Sequence, residues 1–228
     1  MNTEALRTVA ATYGTPTYIF DVREVEARIR LLRSLLPEDT GLCFAVKANP
    51  FLIPYVADLV DRLEVCSPCE YEICIQEQIA PEKIVVSGVN KTYESMKRIL
   101  SYSKGAGIYT IESEEHAKIL RTLAEKNQMP LSVLIRLSSG NQFGVDAETF
   151  LRLAKEIQES PYLTLAGVHY YAGTQKRQSK LEKELDTLTA FAKTFEEETG
   201  TVLNELEYGA GMKVSYFIND SEKDQRES

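Results

Sequence analysis

Lys47 closes an apolar run, Phe44-Ala45-Val46, and is followed by Ala48-Asn49-Pro50. An amine placed where a strand gives out, at a partly desolvated mouth, has its pKa lowered and is suited to forming a Schiff base with a carbonyl compound. A lysine in that place is ordinarily a solvated charge at a helix start, so the residue by itself leaves both readings open. Gly209-Ala210-Gly211 follows a second apolar stretch, and Gly173-Thr174 a third. Glycines let backbone N–H groups come close to a phosphate, and the Thr174 hydroxyl can donate one more hydrogen bond. In isolation each of these motifs is ordinarily a turn. Arg136, at another strand end, is either a cation for the same anion or an ion-pair partner. Cys66 and Cys69 form a CxxC, but no second CxxC or suitably spaced His pair follows, and no metal site is expected.

These residues need elements to carry them. Short β-branched or aromatic runs recur at 17–20, 42–46, 63–66, 84–87, 107–111, 132–137, 163–169 and 203–208. Most are followed by stretches of helical spacing, the pattern of repeated βα units around a parallel sheet. Helices are expected over 22–36 with Asp21 as N-cap and Val25, Ile29, Leu32 and Leu36 on one face, over 114–126 capped by Ser113, and over 147–158 capped by Asp146. The polar residues gather where strands end: Lys47 and Asn49, Ser67 and Glu70, Ser87 and Asn90, Glu112 and Ser113, Arg136 and Ser138, 169–175 and 209–211. In a barrel those ends share one rim, where active sites of that architecture lie. The expected fold class is α/β, of the TIM (β/α)8 type.

Phe44 to Pro50 resembles the cofactor-lysine motif of the alanine racemase-like (fold type III) enzymes that use pyridoxal 5'-phosphate (PLP). The resemblance is strongest to the group IV decarboxylases of diaminopimelate, ornithine and arginine. It continues in order from Tyr13-Gly14-Thr15-Pro16 to Gly209-Ala210-Gly211. The 63–70 segment is similar to the one after the family's second barrel strand, with Glu64 where Asp is usual. Residues 86–91 match the third strand end, Arg136 an arginine near the cofactor, and 167–175 the segment whose Gly-Ser or Gly-Thr pair binds the phosphate. The resemblance implies that Lys47 forms the internal aldimine and that Glu64, Arg136, His169, Tyr171, Thr174, Gly209, Ala210 and Gly211 surround the cofactor. Tyr171 stands where the family usually has a His stacked on the pyridine ring, and His169 takes the earlier place. Gln142-Phe143-Gly144 with Gly173-Thr174-Gln175 resembles members that serve natural-product pathways, including one acting on a glutamyl unit of an acyl carrier protein.

The implied activity is PLP-dependent decarboxylation of an L-amino acid or amino-acyl substrate. The alternatives are a single-barrel PLP-binding homeostasis protein, a non-catalytic regulatory relative and, behind these, a racemase. The PLP-binding barrel domain is expected over 1–218 and a polar tail over 219–228. The eighth strand and the family's C-terminal β-domain are not in the sequence, so the chain is expected to be truncated, inactive alone, and homodimeric at full length. Lys plus Arg is 26 against 34 Asp plus Glu, a net charge of −8, and no basic tract offers a nucleic acid footprint. No run of about 18 apolar residues suggests a membrane span. Reduced cysteines and the lack of a leader pattern suit the cytoplasm.

Overall fold

The computed structural model describes residues 3–215. Two compact units divide between Glu64 and Val65. The first holds α1 (Thr3–Tyr13), α2 (Val22–Leu35), β1 (Cys43–Ala45), α3 (Ile53–Val56) and most of β2 (Arg62–Val65). β1 and β2 pair in parallel, with Ala45 opposite Glu64. Val46, Ile53, Val56 and Leu63 are fully buried there. Neither α1 nor α2 has a buried residue. The apolar face expected on α2 is therefore only partly covered: Val25, Ile29 and Leu36 are half-buried, and Leu32 is exposed.

The second unit continues with α4 (Pro68–Gln76), β3 (Ile84–Val86), α5 (Tyr93–Ser103), β4 (Ile108–Ile111), α6 (Glu114–Asn127), β5 (Leu131–Arg136), α7 (Ala147–Gln158), β6 (Leu163–Tyr171), α8 (Gln178–Thr199) and β7 (Glu205–Gly209). From β3 onward each strand pairs in parallel with the next. Strands covered on both faces read as unbroken apolar runs, and Val133, Leu134 and Ile135 are all fully buried. Phe150 of α7 meets Phe191 and Phe195 of α8 edge-on, with centroids 5.0 and 5.6 Å apart.

Seven of the eight expected strands form, displaced by no more than two residues at either end. The expected strand over 17–20 does not. That segment has no regular structure, and Tyr18 is 94% exposed. β-propensity describes fitness for a pleated, half-buried surface, and this segment has no such surface among the described residues. The three expected caps do act: the Asp21, Ser113 and Asp146 side chains accept from the N–H groups of Arg23, His116 and Thr149. Residues 219–228, expected as a polar tail, lie outside the described residues.

Candidate active site at the strand ends

In the first unit Lys47 sits in a 3-10 turn, Val46–Ala48, directly after β1, and its side chain is exposed. Asn49 is occupied with local work: its side chain accepts from the Phe51 N–H at 3.2 Å, starting the next turn with Pro50 at its first position. Glu64 is half-buried on β2, opposite Ala45. Ser67 and Glu70, at the start of the second unit, are capping groups. Ser67 Oγ accepts from the Glu70 N–H at 3.2 Å, and the Glu70 carboxylate accepts from the Cys66 N–H at 2.8 Å.

In the second unit parallel register sets the predicted residues beside one another. Arg136 lies opposite His169, and Tyr171 opposite Gly209. Arg136 and His169 are buried, Tyr171, Gly209, Ala210 and Gly211 are half-buried, and Thr174 is exposed. The Tyr171 ring packs on the Gly209 backbone: a Cβ at Gly209 would lie 2.5 Å from Tyr171 Cδ2. Gly211 has φ +58°, and a Cβ there would collide with the Gly173 carbonyl oxygen. A Cβ on Gly173, at φ +105°, would meet nothing within 4 Å.

Arg136, expected near the cofactor, is tied to two buried charges, Lys91 and Glu112, that the sequence reading did not single out as site residues. Arg136 Nη1 donates to Glu112 Oε2 at 2.6 Å, and Lys91 Nζ donates to Glu112 Oε1 at 3.3 Å and to Thr110 Oγ1 at 3.1 Å. Lys91 also donates to the Gly88 carbonyl. Burial pulls the Lys91 amine down to about 8 against the opposing pull of Glu112. Burial would raise the Glu112 carboxyl, but Lys91 and Arg136 together hold it below its ordinary value. Two cations thus share one carboxylate, leaving an excess of positive charge where β4 and β5 end. The Arg136 guanidinium also lies 5.1 Å from the centroid of the Phe143 ring, in the segment after β5. The Glu112 N–H donates to His116 Nδ1 at 3.3 Å, and burial pushes His116 down to about 4, so the imidazole is neutral. Lys91 and Glu112 stood in segments that the sequence marked as strand ends. Nothing in their spacing said that they would be buried together.

Residues 22–228 match the family model "Pyridoxal-dependent decarboxylase, pyridoxal binding domain". The chain belongs to that family, and PLP is the cofactor of the domain. Diaminopimelate decarboxylase of Actinosynnema pretiosum is 30% identical over 95% of the chain and 52% of its own length. The L-glutamyl-(BtrI acyl-carrier protein) decarboxylase of Niallia circulans is 25% identical over 98% of the chain and 56% of its own length. The crystal structure of diaminopimelate decarboxylase from Helicobacter pylori complexed with L-lysine superposes with a TM-score of 0.80 at 22% identity, covering 96% of this chain and 59% of that one. The fold class is α/β, of the TIM (β/α)8 type expected from the strand and helix order. The chain spans about half the length of the curated relatives it matches.

The residues present fit the cofactor's chemistry. Its phosphate needs a side-chain-free approach, and the backbone at Gly173 is open on the side where a Cβ would stand, next to the exposed Thr174 hydroxyl. Its aldehyde needs an accessible amine, and the Lys47 side chain is exposed at a strand end. Among the described residues no helix is long and apolar enough to cross a membrane.

Proposed function

We propose that this chain is the cofactor-holding part of a decarboxylase of L-amino acids or amino-acyl units, with Lys47 as the residue that takes PLP covalently. The observation that carries this reading is an exposed amine directly after β1, inside the segment that matches the pyridoxal-binding domain. When bound, the cofactor supplies an electron sink for the pair released as a carboxylate leaves as carbon dioxide. The protein's part is to bind, orient and set charge. Thr174, Gly209, Ala210 and Gly211 form the phosphate cradle, and Tyr171 and His169 flank the ring. Glu64 and Arg136 set the charge around it, the Lys91–Glu112–Arg136 excess favouring an anionic cofactor and a carboxylate substrate.

Both curated relatives named above are decarboxylases. A carrier-bound glutamyl substrate is the finer alternative to a free amino acid, supported by the match to the carrier-protein enzyme over 98% of the chain. The relatives are about twice as long, so we propose that the 228 residues bind cofactor but turn over little substrate alone, and that the full protein works in the cytoplasm as a homodimer. Borohydride reduction of the PLP-loaded chain followed by peptide mapping tests the assignment of Lys47. The adduct is expected on Lys47; an adduct confined to another lysine overturns it.

A further inference from the structure

Among the described residues, one buried ion pair stands apart from the Lys91–Glu112–Arg136 network. Lys176 and Glu184 have side chains 2% and 8% exposed, with Nζ 2.7 Å from Oε2. The same carboxylate oxygen accepts from the Tyr208 hydroxyl at 2.7 Å, and Lys176 Nζ lies 5.1 Å from the centroid of the Tyr208 ring. A buried ammonium is costly unless it is paired and hydrogen-bonded, and an unbranched apolar side chain would fill the same space against Tyr208 without that cost. Packing alone therefore gives no reason for lysine at 176.

The side-chain hydrogen bond to the loop after β7 does, and the backbone of the same residue adds to it. Lys176 Nζ donates to the Gly209 carbonyl at 3.3 Å. The Lys176 backbone N–H donates to the Gly211 carbonyl at 2.9 Å, and its carbonyl accepts from the Lys213 N–H at 3.0 Å. One residue, two positions after Thr174, thus holds both glycine carbonyls of the loop after β7. In a planar trans peptide the N–H points opposite to the C=O. Fixing the Gly209 and Gly211 carbonyls on the Lys176 side turns the N–H groups of Ala210 and Met212 the other way. The parallel bridge between Lys176 and Met212 has the same sense, since its bonds run through the residues flanking Met212.

We propose that the Lys176 side chain, held in place by Glu184 and Tyr208, is a positioning group that aims the Ala210 amide at the cofactor phosphate, beside the Met212 amide that the Lys176 backbone turns the same way. This rests on the reading above that the loop of Gly209 to Gly211 takes the phosphate. Glu184 neutralises the ammonium, so the device works through orientation and not through added charge at the loop.

The test compares wild type, Lys176→Met and Lys176→Met/Glu184→Met in the 228-residue chain. The readouts are the Kd for PLP and for pyridoxal, which lacks the phosphate, the 31P resonance of bound PLP, and the thermal midpoint. Wild type is expected to prefer PLP strongly, and Lys176→Met to weaken PLP about tenfold, the effect of one well-placed hydrogen bond, with pyridoxal unaffected. The double variant leaves no unpaired buried charge, so its thermal midpoint should return towards wild type while the weakened PLP affinity and shifted 31P resonance persist. A double variant that regains stability and PLP affinity together overturns the proposal and leaves a merely structural pair. A wild-type chain that binds pyridoxal as well as PLP overturns the phosphate reading and this inference with it. Should Lys176→Met not fold, Tyr208→Phe is read instead: it removes one donor from Glu184 and should weaken PLP about twofold to threefold, and an unchanged Kd overturns the proposal.

Discussion

The ring of Tyr171 lies against the backbone of Gly209, so that a Cβ at 209 would come within 2.5 Å of Cδ2. The two residues are partners in the β6–β7 register. The residue that stands where the family usually places a histidine is therefore also the reason that position 209 is glycine. Gly209→Ala should cost about 1–3 kcal/mol of stability through overpacking and should weaken PLP binding. In a Tyr171→Ala background most of that penalty should vanish. Thermal unfolding and PLP titration of the four chains check this, and equal penalties in both backgrounds would show that the crowding comes from elsewhere.

Because Gly209 is crowded by protein, Thr174 is the cleaner probe of the proposed phosphate cradle. Its side chain is exposed, so Thr174→Val removes a hydroxyl without disturbing a packed core. It should weaken PLP about fivefold to tenfold, while Ser179→Ala, on the exposed start of α8, should leave the affinity alone. Equal affinities in the two variants would count against Thr174.

Glu112 is the only carboxylate joined by an ion pair to Lys91 and Arg136 among the described residues. Glu112→Leu leaves both cations buried without it and should destabilise the chain by about 3–5 kcal/mol in urea unfolding. The triple change with Lys91→Met and Arg136→Met should regain much of that loss, since no isolated charge is then buried.

His116 carries the acid sensitivity of this region. Its folded value is about 4 against an ordinary value of 6.5. Between those values the unfolded chain binds a proton that the folded chain does not, so stability falls as pH is lowered through that window. The loss attached to this group reaches about 3 kcal/mol below pH 4. His116→Asn keeps an acceptor for the Glu112 N–H but does not titrate there, so the slope of stability between pH 6.5 and 4 should be shallower in that variant.

Burial pushes the Cys74 thiol up to about 11, with Glu70 adding to the effect, whereas Cys43 and Cys69 are exposed. Thiol labelling of the native chain at pH 8 should modify Cys43 and Cys69 quickly and Cys74 only as fast as the chain opens. Rapid labelling of Cys74 would place it outside the core.

What was legible in the amino-acid order was whatever local chemistry decides. Asp21, Ser113 and Asp146 cap their helices because a side chain needs to reach only two or three residues along its own backbone. β3, β4 and most of β5 were readable because strands covered on both faces are apolar throughout, whereas β2 and β7, with Glu64, Glu205 and Glu207, showed only short alternating runs. The 17–20 segment shows the limit of such reading, since strand formation needs a neighbour that no local pattern supplies. The proposed roles of Lys47 after β1 and of Gly209 to Gly211 came from the motif's likeness to a family, since the residue types alone fit an ordinary turn or a solvated charge as well. The partners of the buried charges were not legible. Glu112 and Arg136 are 24 residues apart, Lys176 and Gly209 are 33 apart, and Glu184 reaches Tyr208 across 24. Only the parallel register of the strands and the return of α8 bring them within hydrogen-bond range. Desolvation then makes each of those contacts obligatory, because a charge removed from water must find its counterpart in whatever the fold has placed beside it.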